Sequence, residues 1–141
     1  MRLAARSVLV TLTSNSAALA NPSNSPPIMA NLPAITLFAV SSLVQHLAHA
    51  HLYTLRTYTI PSAPLFESVL CPHYTAEVGI YVSLMLLGAP EGAWINQTLA
   101  TAMVFVAANL AGTADGTKSW YIEKFGADKV GDRARMIPSV W

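Results

Sequence analysis

Residues 93–111 read AWINQTLATAMVFVAANLA, and this stretch decides the class of fold. It contains no aspartate, glutamate, lysine or arginine. Its length is close to the ~20 residues that cross a ~30 Å hydrocarbon core as a helix. Trp94 lies near its start, where an indole ring favours the boundary between lipid and water. The stretch therefore predicts a membrane-spanning helix.

The composition of the whole chain also favours a lipid environment. Of the 141 residues, 53% are hydrophobic and 11% are charged, whereas soluble domains average about 25% charged. Histidines aside, no ionised side chain falls between Arg6 and Arg56 or between Glu91 and Asp115. A net charge of +1 provides no basic surface for nucleic acid, so we set nucleic-acid binding aside.

The beginning of the chain differs in character from the rest. Residues 1–20 contain two arginines, no acid and many small residues, which fits a signal or anchor segment, a presequence or a misassigned start. Residues 21–27 contain three prolines, so neither helix nor strand is expected to persist there. We therefore interpret residues 1–32 as an unassigned, presequence-like segment with a proline-rich linker, and residues 33–141 as the folded domain.

Two more helices are predicted between the linker and residue 93. The first begins at Pro33, turns polar in its second half and ends before the prolines at 61 and 64. The second covers about residues 73–87 and stops at the following glycine and proline. After Asp115 the chain becomes charged and amphipathic, which is typical of a surface helix. The predicted class is all-α: a multi-span membrane protein with about three membrane helices and an amphipathic surface tail.

Glu77 interrupts the second of these apolar helices. On insertion scales, an acidic side chain costs roughly 2.5 to 3.5 kcal/mol at the centre of a membrane helix, so it needs a partner. His73 lies one turn earlier and Tyr81 one turn later, so the three form a polar stripe beside Tyr74. Such a stripe is expected to face protein or ligand. The alternative is that Glu77 only hydrogen-bonds a neighbouring helix, or is hydrated near the interface.

Arg56 is the second candidate for binding a ligand. It follows Gln45, His49 and Leu52 on the same broad face of the first helix, near the end of that helix. Its planar guanidinium suits a phosphate group, to which it can donate two parallel hydrogen bonds. The alternative is an interfacial anchor of the kind that sets membrane topology.

The histidines could also suggest a metal site. His46, His49, His51 and His73 are the four histidines of the chain, and imidazoles three apart on a helix can share a metal. Membrane oxygenases with metal centres need more ligands than this, in several clusters. We therefore predict no metal site, and a metal-dependent lipid oxygenase is the less favoured alternative.

Two other kinds of site find little support in the sequence. No GxGxxG or GxxxxGK[ST] motif occurs, so a nucleotide would have to bind without a glycine-rich phosphate loop. The single cysteine, Cys71, lies beside Pro72 in an apolar setting and is expected to be inert.

The polar residues belong to an ordered series of short motifs. In chain order these are QHLAHAHL at 45–52, LR at 55–56, YTIP at 58–61, LF at 65–66, CPHYTAE at 71–77, WYIEKF at 120–125, the pair Arg133 and Arg135, and IP at 137–138 before Trp141. Together they resemble the C-terminal domain of the steroid 5α-reductase family, and within it the polyprenol reductase branch. The resemblance covers about residues 35–141.

The resemblance implies a multi-pass enzyme of the endoplasmic reticulum membrane that binds NADPH in a cavity open to the cytosol. Such an enzyme reduces a carbon-carbon double bond conjugated to a carbonyl. In the polyprenol branch the substrate is the α-isoprene unit of a polyisoprenoid lipid, polyprenol or polyprenal, and the product feeds dolichol and protein N-glycosylation. The resemblance implies six cofactor-binding residues, three near the phosphate and ribose and three on later helices: Gln45, His49, Arg56, His73, Glu77 and Tyr121.

One part of the family pattern is missing. The family's groups that activate the substrate carbonyl, a tyrosine and a glutamate, lie in an N-terminal half, and the chain before Pro33 contains neither residue type. No catalytic residue is therefore assigned, and the chain is expected to be a truncated form, a fragment or a degenerate copy. The alternative function is a non-catalytic membrane subunit that retained the fold, with protein partners that the sequence leaves open.

Overall fold

The computed structural model describes residues 28–55 and 57–138. The chain divides into two units, Met1–Ala30 and Asn31–Trp141, and almost all described residues belong to the second. The predictions for residues 1–27 lie outside the described residues, so the proposed presequence and linker stay predictions.

The described residues form helices and loops. In chain order the helices are α1 (Ile28–Thr54), α2 (Pro72–Leu87), α3 (Gln97–Phe125) and the short α4 (Ala127–Val130), with a 3-10 turn at Pro64–Phe66 before α2. Within the described ranges no strand forms, and the sole extended pairing is an isolated parallel bridge between Val69 and Ala134. The predicted all-α fold is confirmed.

Two of the helices are long and apolar enough to cross a membrane. They are Asn31–Thr54 within α1 and Gln97–Phe125, which is α3. Their surfaces expose large apolar side chains such as Phe105 (71% exposed) and Val104 (61%), which lipid solvates better than water does. With 16 residues, α2 is about 24 Å long, shorter than a ~30 Å hydrocarbon core. Two of the three predicted membrane helices therefore reach spanning length.

Three helix boundaries differ from those predicted. Helix α3 begins at Gln97, after the predicted start near Ala93. Helix α1 begins at Ile28 and includes Pro33, although a proline at this position removes one backbone hydrogen bond and crowds the carbonyl one turn earlier. The predicted end of the third helix near residue 111 is wrong, since α3 continues to Phe125 and ends at Gly126, whose φ is 89°. The change from apolar to charged side chains alters what surrounds the helix without interrupting its backbone hydrogen bonds.

Asn96 joins the end of α2 to the start of α3. Its Oδ1 accepts a hydrogen bond from the Leu99 N–H at 3.1 Å, which caps α3. Its Nδ2 donates to the Gly88 carbonyl at 2.8 Å, at the C-cap of α2. One amide therefore satisfies backbone groups at two helix ends, and this fixes the tight connection between the two helices.

Small residues on both helices let α1 approach α2 closely at Ser41 and Gly79. Ala34, Ser41 and Ala48 are spaced seven residues apart on α1, and all three are buried. On α2, a Cβ atom added to Gly79 would overlap Ser41 Oγ and lie 3.2 Å from Ser41 Cβ. Small residues allow this approach, as they do in membrane helix pairs.

The buried core lies on the other side of α2. Its five buried members come from the loop before α2, from α3, from α4 and from the C-terminal segment: Leu70, Cys71, Ala114, Val130 and Met136. Tyr74 and Tyr121 are among the partly buried side chains that pack against this core. Helix α2 therefore contacts α1 through small residues and α3 through this core.

We predict that Gly79→Leu destabilises the protein because the new side chain must enter the contact with Ser41. Overpacking of this kind typically costs 1–3 kcal/mol, that is, about 2 kcal/mol. The midpoint of thermal unfolding in detergent measures the effect. Gly112→Leu is the matched control, because a Cβ at that helical glycine meets nothing within 4 Å. Equal midpoints for the two variants would contradict the close contact.

Candidate functional site

The polar half of α1 meets the polar stripe of α2 at one hydrogen bond. Gln45 Nε2 donates to Glu77 Oε2 at 3.4 Å, and both side chains are half-buried. The bond is long, and a carboxylate with two oxygens can accept further hydrogen bonds. Both interpretations of Glu77 drawn from the sequence include such a contact, so its role toward a ligand stays a prediction.

One turn away, two histidines face each other across the same helix pair. The rings of His49 on α1 and His73 on α2 lie 5.1 Å apart. His73 is 9% exposed, and the rings of Tyr74 at 4.2 Å and Phe66 at 6.5 Å surround it further. The structure therefore brings together four of the six predicted cofactor residues as two cross-helix pairs.

The buried histidine holds a polar atom without a partner. His73 Nδ1 is shielded from solvent and has no hydrogen-bond partner among the described residues. Burial, and next the neighbouring His49, lowers the pKa of His73 from 6.5 to about 4, so its ring is neutral at physiological pH. Buried polar atoms in folded proteins are normally hydrogen-bonded, which makes this atom a candidate for a contact outside the described residues.

His51 extends the same group of aromatic rings. Its ring lies 5.4 Å from that of Phe66, which is fully buried, and His51 Nε2 is a second buried atom without a partner among the described residues. In the sequence, His51 was individually a candidate only for a metal site. No local sequence pattern pairs His51 with Phe66, because the turn of the chain after α1 brings the two residues together.

Tyr121 lies apart from the two cross-helix pairs. It packs against the core around Cys71, stacks on Phe125 at 5.9 Å and meets Trp120 edge-on at 5.1 Å. Tyr74 packs against the same core. Tyr121 and Tyr74 therefore border the same core, and the ring of Tyr74 in turn lies 4.2 Å from that of His73.

Arg56, the sixth predicted residue, lies outside the described residues. Its assignment to the phosphate end of the cofactor stays a prediction.

Cys71 is the N-cap residue of α2 and is 1% exposed. Burial raises the pKa of its thiol to about 11, and a hydrogen bond with Thr117 opposes the shift without cancelling it. The thiol is therefore protonated at neutral pH and packs as a small apolar group, as predicted.

Basic and aromatic side chains that the sequence analysis left unassigned gather near the end of α3. Lys124 Nζ lies 4.4 Å from the ring centroid of Tyr58 and 4.7 Å from that of Trp120. Tyr58 is 77% exposed, so this cation-π cluster lies at the surface. Together with Trp94, 91% exposed just before α3, it marks the two ends of the long helix with aromatic rings, as at membrane boundaries.

The described residues also show where a metal ion or a small molecule could and could not be held. No three histidine, cysteine, aspartate or glutamate side chains there converge in a way that could hold a metal ion. A cavity of about 420 Å³ lies away from the predicted cofactor residues, and its lining is Glu67, Ser68, Asp132, Arg133, Ala134 and Pro138.

The fold and the site define a helical membrane protein in which polar side chains of two adjacent helices meet near a buried histidine. The family model described as 3-oxo-5-alpha-steroid 4-dehydrogenase matches residues 21–141. The chain belongs to this family, the steroid 5α-reductases.

Several relatives within the family are reductases by name. Polyprenal reductase of Saccharomyces cerevisiae is 32% identical over 117 residues, which is 83% of this chain and 43% of the yeast protein. Polyprenal reductase 1 of Oryza sativa subsp. indica is 37% identical over 112 residues, 74% of this chain and 30% of the rice protein.

A steroid reductase is also similar. Steroid 5-alpha-reductase DET2 of Gossypium hirsutum is 32% identical over 84 residues, 60% of this chain and 30% of the cotton protein. The chain thus spans less than half the length of these relatives. No solved structure matches the chain significantly.

We predict that the protein loses stability as the pH falls from 6.5 toward 4. Because burial lowers the pKa of His73 to about 4, the unfolded chain takes up a proton in this window that the folded chain does not. The contribution of the neutral ring is complete above pH 6.5 and decreases below it. Unfolding midpoints at pH 7 and pH 5 measure the loss.

The variant His73→Gln should show a smaller loss between pH 7 and pH 5 than the wild type. His46→Gln is the control, because His46 lies on the same helix as His49 but is exposed, and it should leave the loss unchanged. An undiminished loss in His73→Gln would show that other groups cause the pH dependence.

Proposed function

We propose that this chain acts in the NADPH-dependent reduction of the α-isoprene double bond of polyprenal, which gives the dolichol precursor used in protein N-glycosylation. The observation that carries the proposal is the meeting of Gln45 with Glu77 and of His49 with His73, in a member of a reductase family. The similarity to polyprenal reductases of yeast and rice supports the lipid substrate. The proposal includes a location in the endoplasmic reticulum membrane, which would follow from a role in dolichol synthesis.

The chemistry of the site suits a dinucleotide. Gln45 and the two histidines can both donate and accept hydrogen bonds, whereas the Glu77 carboxylate accepts them from hydroxyl groups such as those of a ribose. His73 Nδ1 has no partner among the described residues and would gain one from a ligand. Arg56, in the LR motif at residues 55–56, would bind a phosphate group of the cofactor.

The contacts described above give the residues of the site different roles in binding the cofactor. NADPH supplies a hydride when it is bound. Glu77 and Gln45 hold each other in place across α1 and α2, so both are oriented before a ligand arrives. The neutral ring of His73 offers a hydrogen bond without adding a positive charge. The aromatic rings of Phe66 and Tyr74 exclude water from this histidine.

The surface of the two long helices supports a polyisoprenoid substrate. Exposed aliphatic and aromatic side chains cover both of them, among them Leu43 (58% exposed), Val40 (54%) and Phe105 (71%). A substrate made of repeating isoprene units partitions into the same lipid layer that these side chains favour. It would therefore reach the polar site from within the membrane.

We expect Glu77→Gln to weaken NADPH binding about tenfold, because hydrogen bonds to a charged acceptor contribute more than neutral ones. The measurement is fluorescence titration of NADPH with the purified full chain in lipid nanodiscs. Glu91→Gln removes an exposed carboxylate in the turn between α2 and α3 and should bind like the wild type. If Glu77→Gln and Glu91→Gln bound NADPH with the same affinity, Glu77 would not be part of the cofactor site.

Turnover is tested in the same nanodiscs by oxidation of NADPH on addition of polyprenal. Saturated product supports the proposal. Absence of NADPH binding would overturn the proposal and favour a non-catalytic membrane subunit that retained the fold. Binding without oxidation is the outcome expected of a chain that spans less than half the length of its relatives.

A further inference from the structure

The last described residues of the chain form a strap over the start of α2. Residues 133–136, here called the C-terminal strap, run parallel to residues 68–71. The backbone N–H of Ala134 donates to the Ser68 carbonyl, the Leu70 N–H to the Ala134 carbonyl and the Cys71 N–H to the Arg135 carbonyl, each at 2.9 Å. The strap thus pairs with the four residues that lead into α2.

Side-chain contacts with two other parts of the chain hold the strap in place. Arg133 Nη1 donates to the Pro61 carbonyl at 2.9 Å, and Lys118 Nζ donates to the Arg133 carbonyl at 2.7 Å. Arg135 Nε lies 2.6 Å from Asp115 Oδ1 in an ion pair. The strap is therefore connected both to the loop after α1 and to the middle of α3.

The contact with most direct bearing on the site is made by Thr75. Its Oγ1 donates to the Met136 carbonyl at 2.5 Å, across 61 positions of sequence. Thr75 lies in the first turn of α2, two residues after His73 and two before Glu77. A shift of this turn would move both side chains relative to α1.

The start of α2 needs such support. The first N–H groups of a helix have no partner within it, and the N-cap residue Cys71 makes no side-chain capping bond to α2. The strap carbonyls accept hydrogen bonds from the Cys71 N–H, just before the helix, and from the Thr75 hydroxyl, one on each side of His73. They anchor the first turn through these two groups and are not a cap of its free N–H groups.

We infer that Thr75 and the C-terminal strap are positioning elements of the cofactor site: they fix the first turn of α2 so that His73 and Glu77 face His49 and Gln45. The inference rests on the proposed function, since it concerns binding of NADPH. Thr75 and Arg133 act through His73 and Glu77 and have no direct part in binding.

The test compares NADPH affinity with the unfolding midpoint for the full chain in nanodiscs. Thr75→Val keeps the shape of the side chain and removes the hydroxyl, and we expect it to raise the Kd for NADPH about fivefold. Thr75→Ser restores the hydroxyl and should bind within about twofold of the wild type. The control Thr101→Val also removes a hydroxyl bonded to a backbone carbonyl, that of Gln97, and should leave the Kd unchanged.

The outcomes separate the strap from the proposed function. A raised Kd in Thr75→Val at an unfolding midpoint equal to that of Thr101→Val supports positioning. If the wild type binds NADPH and Thr75→Val binds equally well, the strap inference is overturned and the proposed function stands. If the wild type does not bind, both are overturned. Should Thr75→Val fail to fold, Arg133→Met, which loses only the bond to Pro61, is judged by the same criteria.

Discussion

The proposed site depends on the point at which α1 and α2 approach each other. At Gly79 the approach leaves no room for a Cβ atom beside Ser41, so both positions need small residues. In lipid there is little hydrophobic driving force between helices, so tight van der Waals contact and hydrogen bonds between them must hold the pair together. The same approach brings Gln45 within reach of Glu77 and His49 close to His73.

The polar site thus follows from the packing of apolar and small residues around it. A glutamate on a mostly apolar helix is tolerated because α1 supplies an amide partner. A neutral histidine is tolerated because burial depresses its pKa to about 4. In the proposed function these two polar groups bind the cofactor.

Much of this arrangement was predictable from local sequence patterns, and the rest was not. Apolar run length gave the helical class, and helical spacing placed His73 and Glu77 on one face. The end of α3 was mispredicted because the change from apolar to charged side chains after Asp115 was interpreted as the end of the helix. The strap could not be predicted, because the hydrogen bond from Thr75 to Met136 joins residues 61 apart and no local pattern encodes such a pairing. The seven-residue spacing of Ala34, Ser41 and Ala48 was present in the sequence and would have revealed the α1 contact face.

The cap at the start of α3 has a consequence for carbohydrate attachment. Residues 96–98 read Asn-Gln-Thr, which matches the acceptor triplet for asparagine-linked glycans. The amide nitrogen that would carry the sugar already donates to Gly88, and its oxygen already caps the helix. A glycan would replace one hydrogen on this nitrogen, so the bond to Gly88 would depend on the remaining N–H, and the sugar would have to fit beside the tight connection between α2 and α3. Because the fold itself opposes attachment there, the absence of sugar at this triplet would carry no information about which side of the bilayer the turn faces, and membrane topology is better mapped by reporters placed elsewhere.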